Sequence, residues 1–158
     1  MRVLLFSDLH GHAFKPYSRV LPDGMNSRLR DAVLVLEQIR AMAKAEKVDL
    51  ILFGGDLFHV RGTINVQTFN TIFESMAKLK LTAQLGLLVG NHDQTNKAGS
   101  VHSVYAFNTM ATVMDKPVWN TFEVVISNTT DRLHVLALPY TPDADDIREA
   151  IDEGVQNK

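Results

Sequence analysis

Cysteine is absent from the 158 residues. That excludes disulfides and thiolate metal ligands, so any metal must be held by carboxylate, imidazole or amide groups. The absence also fits a reducing compartment. No apolar run approaches the ~20 residues of a membrane-spanning helix. The first apolar run, Val3–Phe6, stops at Ser7 and Asp8, too soon for the core of a signal peptide. A cytoplasmic chain with no membrane partner is the expectation. There is no basic excess either: 16 Lys+Arg stand against 18 Asp+Glu, a net charge of −2. If nucleic acid is a partner, bulk positive charge is not what attracts it. Internal repeats and low-complexity segments are also missing. A chain of this length favours one domain and can bury roughly 70% of its unfolded surface.

What is present is an alternation of short apolar runs and helical patterns. "RVLLF" (2–6) is continuous and apolar, as in a strand buried on both faces of a parallel sheet. A long loop, "GHAFKPYSRVLPDGMNS" (11–27), follows. Leu29, Ala32, Val33, Leu36, Ile39, Arg40 and Ala43 then recur at helical spacing to about Glu46, with Asn26 or Ser27 as N-cap. "VDLILF" (48–53) reads as a second strand. "NVQTFNTIFESMAKLK" (65–80) reads as a second helix, with Phe69, Ile72, Phe73 and Met76 on one stripe. "QLGLLV" (84–89) reads as a third strand. The stretch "VHSVYAFNTMATVM" (101–114) has a helical pattern. "TFEVVIS" (121–127) and "RLHVLALPY" (132–140) read as two strands joined by a turn at "NTTD" (128–131). A last helix, "DADDIREAIDEGV" (143–155), is capped by Asp143. This order predicts an α/β fold with a mostly parallel sheet, its first three strands running the same way.

Each of those strands ends in similar punctuation. The first ends in Asp8-Leu9-His10, the second in Gly54-Gly55-Asp56 with His59 three residues on, and the third in Gly90-Asn91-His92-Asp93. In a parallel sheet these carboxyl ends share one edge, where open α/β folds place their sites. Asp8, His10, Asp56, His59, Asn91 and His92 should therefore converge. Carboxylate, imidazole and amide oxygen together suit manganese, iron or zinc. A single central carboxylate such as Asp56 can bridge two ions ~3.5–4 Å apart, an arrangement used for phosphoester cleavage. Any one of these motifs alone could be an ordinary loop; their conjunction at three successive strand ends points to a metal site. His102, in a helical pattern, and His134, in an apolar strand, read as structural. His12 reads as solvent-facing.

"DLH", "GGD" and "GNHD" resemble the first three motifs of the calcineurin-like metallophosphoesterases. Within that superfamily the phosphatase branch typically reads Gly-Asp-x-x-Asp-Arg-Gly and then Gly-Asn-His-Glu. Here "GDLFHVRG" and "GNHD" are similar instead to the DNA-repair nuclease branch, the SbcD-type exonuclease subunits of bacteria and phages. "GGDLFHVRGTINVQTFN" is most like the phage versions, and "LHVLALPY" also resembles a strand of that family. The resemblance implies a metallophosphoesterase-type β-sandwich flanked by helices and a metal-dependent DNA nuclease using two divalent ions. Manganese is the foremost metal, with magnesium, iron or zinc as alternatives. Asp8 and His10 would bind one ion, Asp56 would bridge, and Asn91 would bind the second. His92 would act as general acid or steady the transition state, and His59 would orient the phosphate. DNA, an SbcC-type ATPase subunit and a second copy of the chain are the implied partners.

The family's two later motifs, a lone histidine and then Gly-His-x-His, are not matched; the last histidine is His134. The expectation is an N-terminal part of a larger nuclease, lacking the later strands of the second sheet, weakly active or inactive alone and prone to associate. Two other readings stay open: a metallophosphoesterase acting on a small phosphodiester or a phosphoprotein, and a catalytically incomplete binding or assembly module.

Overall fold

The computed structural model describes residues 1–96, 101–126, 129–141 and 143–156. Its centre is a four-stranded parallel sheet in the order β1-β2-β3-β4, formed by β1 (Val3–Phe6), β2 (Leu50–Phe53), β3 (Gln84–Leu88) and β4 (Thr112–Met114). The register pairs Val3 with Leu50 and Leu50 with Gln84. Helix α1 (Ser27–Ala45) links β1 to β2, and α2 (Val66–Lys80) links β2 to β3. These are the βαβ units that the apolar runs and helical stripes predict.

Local chemistry sets the helix starts. The Asn26 side chain accepts from the N–H groups of Arg28 and Leu29, and Asn65 accepts from Thr68, satisfying amides that a helix start otherwise leaves bare. Leu29, Leu36 and Ala43 of α1 are buried at seven-residue intervals. They meet Ile72, Met76 and Leu79 of α2 and Ile51, Phe53, Leu85 and Leu87 of the sheet. The alternate strand residues face the other way. Leu50, with Leu52 and Leu88 beside it, packs on Phe122 and Ala137. These come from or follow an antiparallel ribbon, β5 (Trp119–Ile126) with β6 (Thr129–Leu136). Both faces of β2 and β3 are therefore covered, as continuous apolar runs require. Edge strand β1 differs. Val3 and Leu5 share a face with Leu50 and Leu52 by register, yet they are 43% and 71% exposed.

Two boundaries depart from the sequence reading. Residues 101–114 are not one helix. They form a single 3₁₀ turn, Tyr105–Thr109, and then β4. The apolar spacing of Val104 and Phe107, both buried, is met by one turn. The β-branched Thr112 and Val113 then pair along the open edge of β3. The hairpin is also tighter than expected: Thr129 and Asp131 already belong to β6, opposite Ile126 and Val124. Residue 127, the end of the expected strand, and residue 128, the start of the expected turn, lie outside the described residues. The final helix, α3 (Ala144–Gln156), starts where Asp143 accepts from Asp145 N–H.

Candidate metal centre

The loops after β1 and β2 continue side by side beyond the strands. Gly54 N–H donates to Phe6 O at 2.8 Å, Asp8 N–H to Gly55 O at 3.0 Å, His10 N–H to Asp56 O at 3.0 Å and Gly11 N–H to Leu57 O at 2.8 Å. This extended ladder brings Asp8 and His10 against Asp56. It also holds all three in the left-handed region, at φ +59°, +47° and +63° respectively. Asp and His tolerate that region better than most side chains. Even so, three such residues in one site cost on the order of 1–3 kcal/mol each, and backbone strain of this kind gathers at functional sites.

The side chains then meet. His10 Nε2 lies 3.8 Å from Asp8 Oδ1 and 3.9 Å from Asp56 Oδ2. These gaps are too long for hydrogen bonds. They suit ligands that each sit ~2.0–2.2 Å from a shared ion. The ligand atoms of Asp8, His10 and Asp56 all lie within 4.8 Å of one another. His10 Nδ1 is buried with no hydrogen-bond partner, so no bond within the protein holds that nitrogen. The donor set and spacing fit a divalent metal. Asn91 lines an open cleft of about 260 Å³ together with Asp8 and Asp56, walled on the other side by Leu138 and Tyr140.

The third loop locks Asp56. His92 N–H donates to Asp56 Oδ1 at 3.0 Å, leaving Oδ2 toward His10. Gly55, at φ +104°, and Gly90 face each other where the loops cross. A Cβ on Gly55 would lie 2.8 Å from Gly90 Cα, and a Cβ on Gly90 would overlap Asp56 Oδ1 and its backbone nitrogen.

The sequence reading missed what holds this crossing together. Asp93, fully buried, accepts from Asp56 N–H at 2.9 Å and Gly90 N–H at 3.0 Å through Oδ2. Through Oδ1 it accepts from Leu57 N–H at 3.0 Å and Phe58 N–H at 3.3 Å. Burial pushes its carboxyl above the ordinary carboxylate value, against the pull of these amides. In sequence Asp93 was only the last letter of "GNHD"; no local pattern announces four amide partners.

His59 and His92 stand beside the cluster. Ligand atoms of His10, His59 and His92 also lie within 4.8 Å of one another, and the His59 and His92 rings stack at 5.5 Å. His92 Nδ1 is 2.7 Å from His59 O. A carbonyl only accepts, so Nδ1 carries a proton, and Nε2 is the position free to take up or release one. His59 is held below the usual histidine value, first by desolvation and then by His10, His12 and His92. His12 is not simply solvent-facing: it is half-buried, its ring 4.8 Å from Phe14 and 5.6 Å from His59. His102 is buried 3.6 Å from Asp115, and exposed His134 bonds Thr121 across the ribbon, so neither joins the site. No helix among the described residues is long and apolar enough to cross a membrane.

Comparison with known proteins agrees with this geometry. The chain is 24% identical over 112 residues to "Putative phosphoesterase 078R" of Invertebrate iridescent virus 3. The aligned part takes in 68% of this chain and 30% of the viral protein, so the chain spans about a third of that relative's length. The family described as calcineurin-like phosphoesterase matches residues 1–148, from before β1 into α3. All three loops of the candidate metal centre fall inside that match, and the chain belongs to the calcineurin-like phosphoesterase family.

Proposed function

We propose that this chain carries the catalytic edge of a metal-dependent DNA nuclease that hydrolyses phosphodiesters. The observation that carries the reading is the placement of His59 and His92 against the Asp8–His10–Asp56 cluster. Asp8, His10 and Asp56 would hold one divalent ion, with Asp56 shared toward a second ion reached by Asn91. Manganese is the foremost candidate. When bound, such ions supply Lewis-acid stabilisation of the charge on the phosphoryl oxygens.

The chain's own residues do the rest. Water attacks phosphorus and gives up a proton to solvent, the P–O bond to the leaving group breaks, and the departing oxygen needs a proton. His92 is built to supply it: its Nδ1–H is anchored on His59 O, so Nε2 is the free position, and imidazole loads and releases a proton near neutral pH. His59, whose pKa desolvation and the neighbouring imidazoles hold below the ordinary histidine value, offers a polar ring beside the phosphate. In the phosphatase branch, with its Gly-Asp-x-x-Asp-Arg-Gly pattern, an aspartate stands where His59 does here, and this difference favours a nuclease over a phosphoprotein phosphatase.

The test is degradation of linear DNA with Mn²⁺, repeated with His92→Ala. The expected result is metal-dependent degradation, abolished by EDTA and slowed roughly 100-fold or more in the variant. Undiminished degradation by the variant, or preference for p-nitrophenyl phosphate over DNA, overturns the reading.

A further inference from the structure

The segment between β1 and α1 is stitched to the start of α1. Asn26 Nδ2 donates to Phe14 O at 2.9 Å and to Ser18 Oγ at 3.1 Å. Ser27 N–H donates to Arg19 O at 2.9 Å, and Arg19 N–H returns to Ser27 Oγ at 3.1 Å. The asparagine that caps the helix therefore also sets the loop.

This pinned loop carries two aromatic rings beside the metal edge. Phe14 is half-buried, its ring 4.8 Å from both His12 and His59. Tyr17 is fully exposed and sits at φ +56°, an outlier for a bulky side chain. Its ring buries no core, so packing does not account for a strained tyrosine at this position.

Two cavities meet at these residues. One, of about 450 Å³, reaches Asp8, His10, Phe14 and Arg28. The other, of about 380 Å³, is bounded by Phe14, Pro16, Tyr17 and Arg28. Phe14 and Arg28 line both, so the two adjoin at that pair, and the groove they border lies between Asp8 and the exposed Tyr17. Ala32, Val35 and Ile39 of α1 give the inner part an apolar lining.

We propose that this groove is a nucleobase subsite. The base next to the scissile phosphate stacks on Phe14 and Tyr17, and Arg28 faces the neighbouring phosphate. The proposal rests on the nuclease reading and names how that site would grip its substrate. Every base presents a π-face, and exposed aromatics with an arginine form a sequence-tolerant platform for single strands. A phosphodiester at Asp8 and His10 has this groove as its adjoining space. Asp31 also lines it, 3.7 Å from the Arg28 guanidinium, so the rings rather than charge carry the binding.

The test compares two probes that share a phosphate: 2′-deoxyadenosine 5′-monophosphate and 2-deoxyribose 5-phosphate. Binding is measured by equilibrium dialysis in EDTA, so it does not depend on a loaded enzyme. The nucleotide should bind roughly 5- to 100-fold more tightly, the range expected for one stacked base. Tyr17→Asn removes the ring and tolerates the positive φ; it should shrink that preference at least threefold, while Tyr17→Phe keeps it. Equal affinity for the two probes, or an undiminished preference in Tyr17→Asn, overturns the subsite. Mn²⁺-dependent DNA cleavage persisting without any nucleotide preference overturns the subsite alone. A Tyr17-dependent nucleotide preference in a protein that prefers monoesters to DNA supports the subsite and overturns the nuclease reading instead.

Discussion

Asp93 Oδ2 and the backbone N–H of Asp56 are hydrogen-bonded at 2.9 Å across 37 residues of chain. The same oxygen holds Gly90 N–H at 3.0 Å. One buried carboxylate thus ties the loop that carries Asp56 to the loop that carries Asn91 and His92. Asp93→Ala would leave the buried amides of Leu57 and Phe58, among others, without an acceptor. It should destabilise the fold by about 3 kcal/mol or more in urea unfolding. Asp93→Asn turns an NH₂ group toward N–H donors and should cost less, while weakening Mn²⁺ binding roughly 10- to 100-fold. Wild-type stability in Asp93→Ala would contradict this account.

Gly90 makes a separate prediction, because the crossing has no room for a methyl group. Gly90→Ala must displace Asp56 or the backbone of its own loop. A loss of about 1–3 kcal/mol is expected, with a larger relative effect on metal affinity than at a glycine in open space. Gly62 is the control, since nothing lies within 4 Å of a Cβ there. Its φ of +79° still strains an alanine, so stability drops in both variants. Calorimetry with Mn²⁺ should show weakened binding only in Gly90→Ala.

How much of this was legible follows from the range of each interaction. The strands β1, β2 and β3 announce themselves because burial on both faces demands continuous apolar runs. The candidate ligands stand out because a parallel sheet brings successive strand ends to one edge. Asp8, His10 and Asp56 therefore need only local patterns and topology to be found. Asp93 depends on amides contributed by another loop, which no local pattern encodes. Residues 101–114 were misread because the spacing of Val104 and Phe107 fits a helix, while the deciding partner for Thr112 and Val113 is the edge of β3. Tyr17 shows the same limit: its positive φ depends on loop contacts made up to the start of α1.

Metal should act on stability as well as chemistry. Two carboxylates and an imidazole whose ligand atoms lie within 4.8 Å of one another would hold a divalent ion in the folded chain and lose that geometry on unfolding. At 100 times its Kd, such a ligand stabilises by about 2.7 kcal/mol. For a chain of this size that is a rise in Tm of roughly 5–10 °C, reversed by EDTA. Asp56→Asn should abolish most of the rise, because Asp56 is the carboxylate nearest both loops. A Tm unmoved by Mn²⁺ in the wild-type chain would argue against a site made by these ligands.

The His59–His92 pair separates backbone from side-chain effects. The proton on His92 Nδ1 is fixed by the carbonyl of His59, not by its ring. His59→Ala should therefore leave the His92 tautomer unchanged in long-range ¹H–¹⁵N spectra of the metal-free protein. It should still weaken substrate positioning, since the stacked ring is gone. The titration of His59 provides the companion test. Desolvation and the nearby His10, His12 and His92 lower its pKa below the ordinary histidine value, because each imidazolium disfavours another positive charge beside it. His12→Gln removes one of those charges and keeps a polar side chain, so the His59 midpoint should move up toward ~6.5. The desolvation remains in that variant, so the recovery should be partial. A midpoint that falls, or a His92 proton that shifts to Nε2 in His59→Ala, would show that the imidazoles are not coupled in the way the geometry requires.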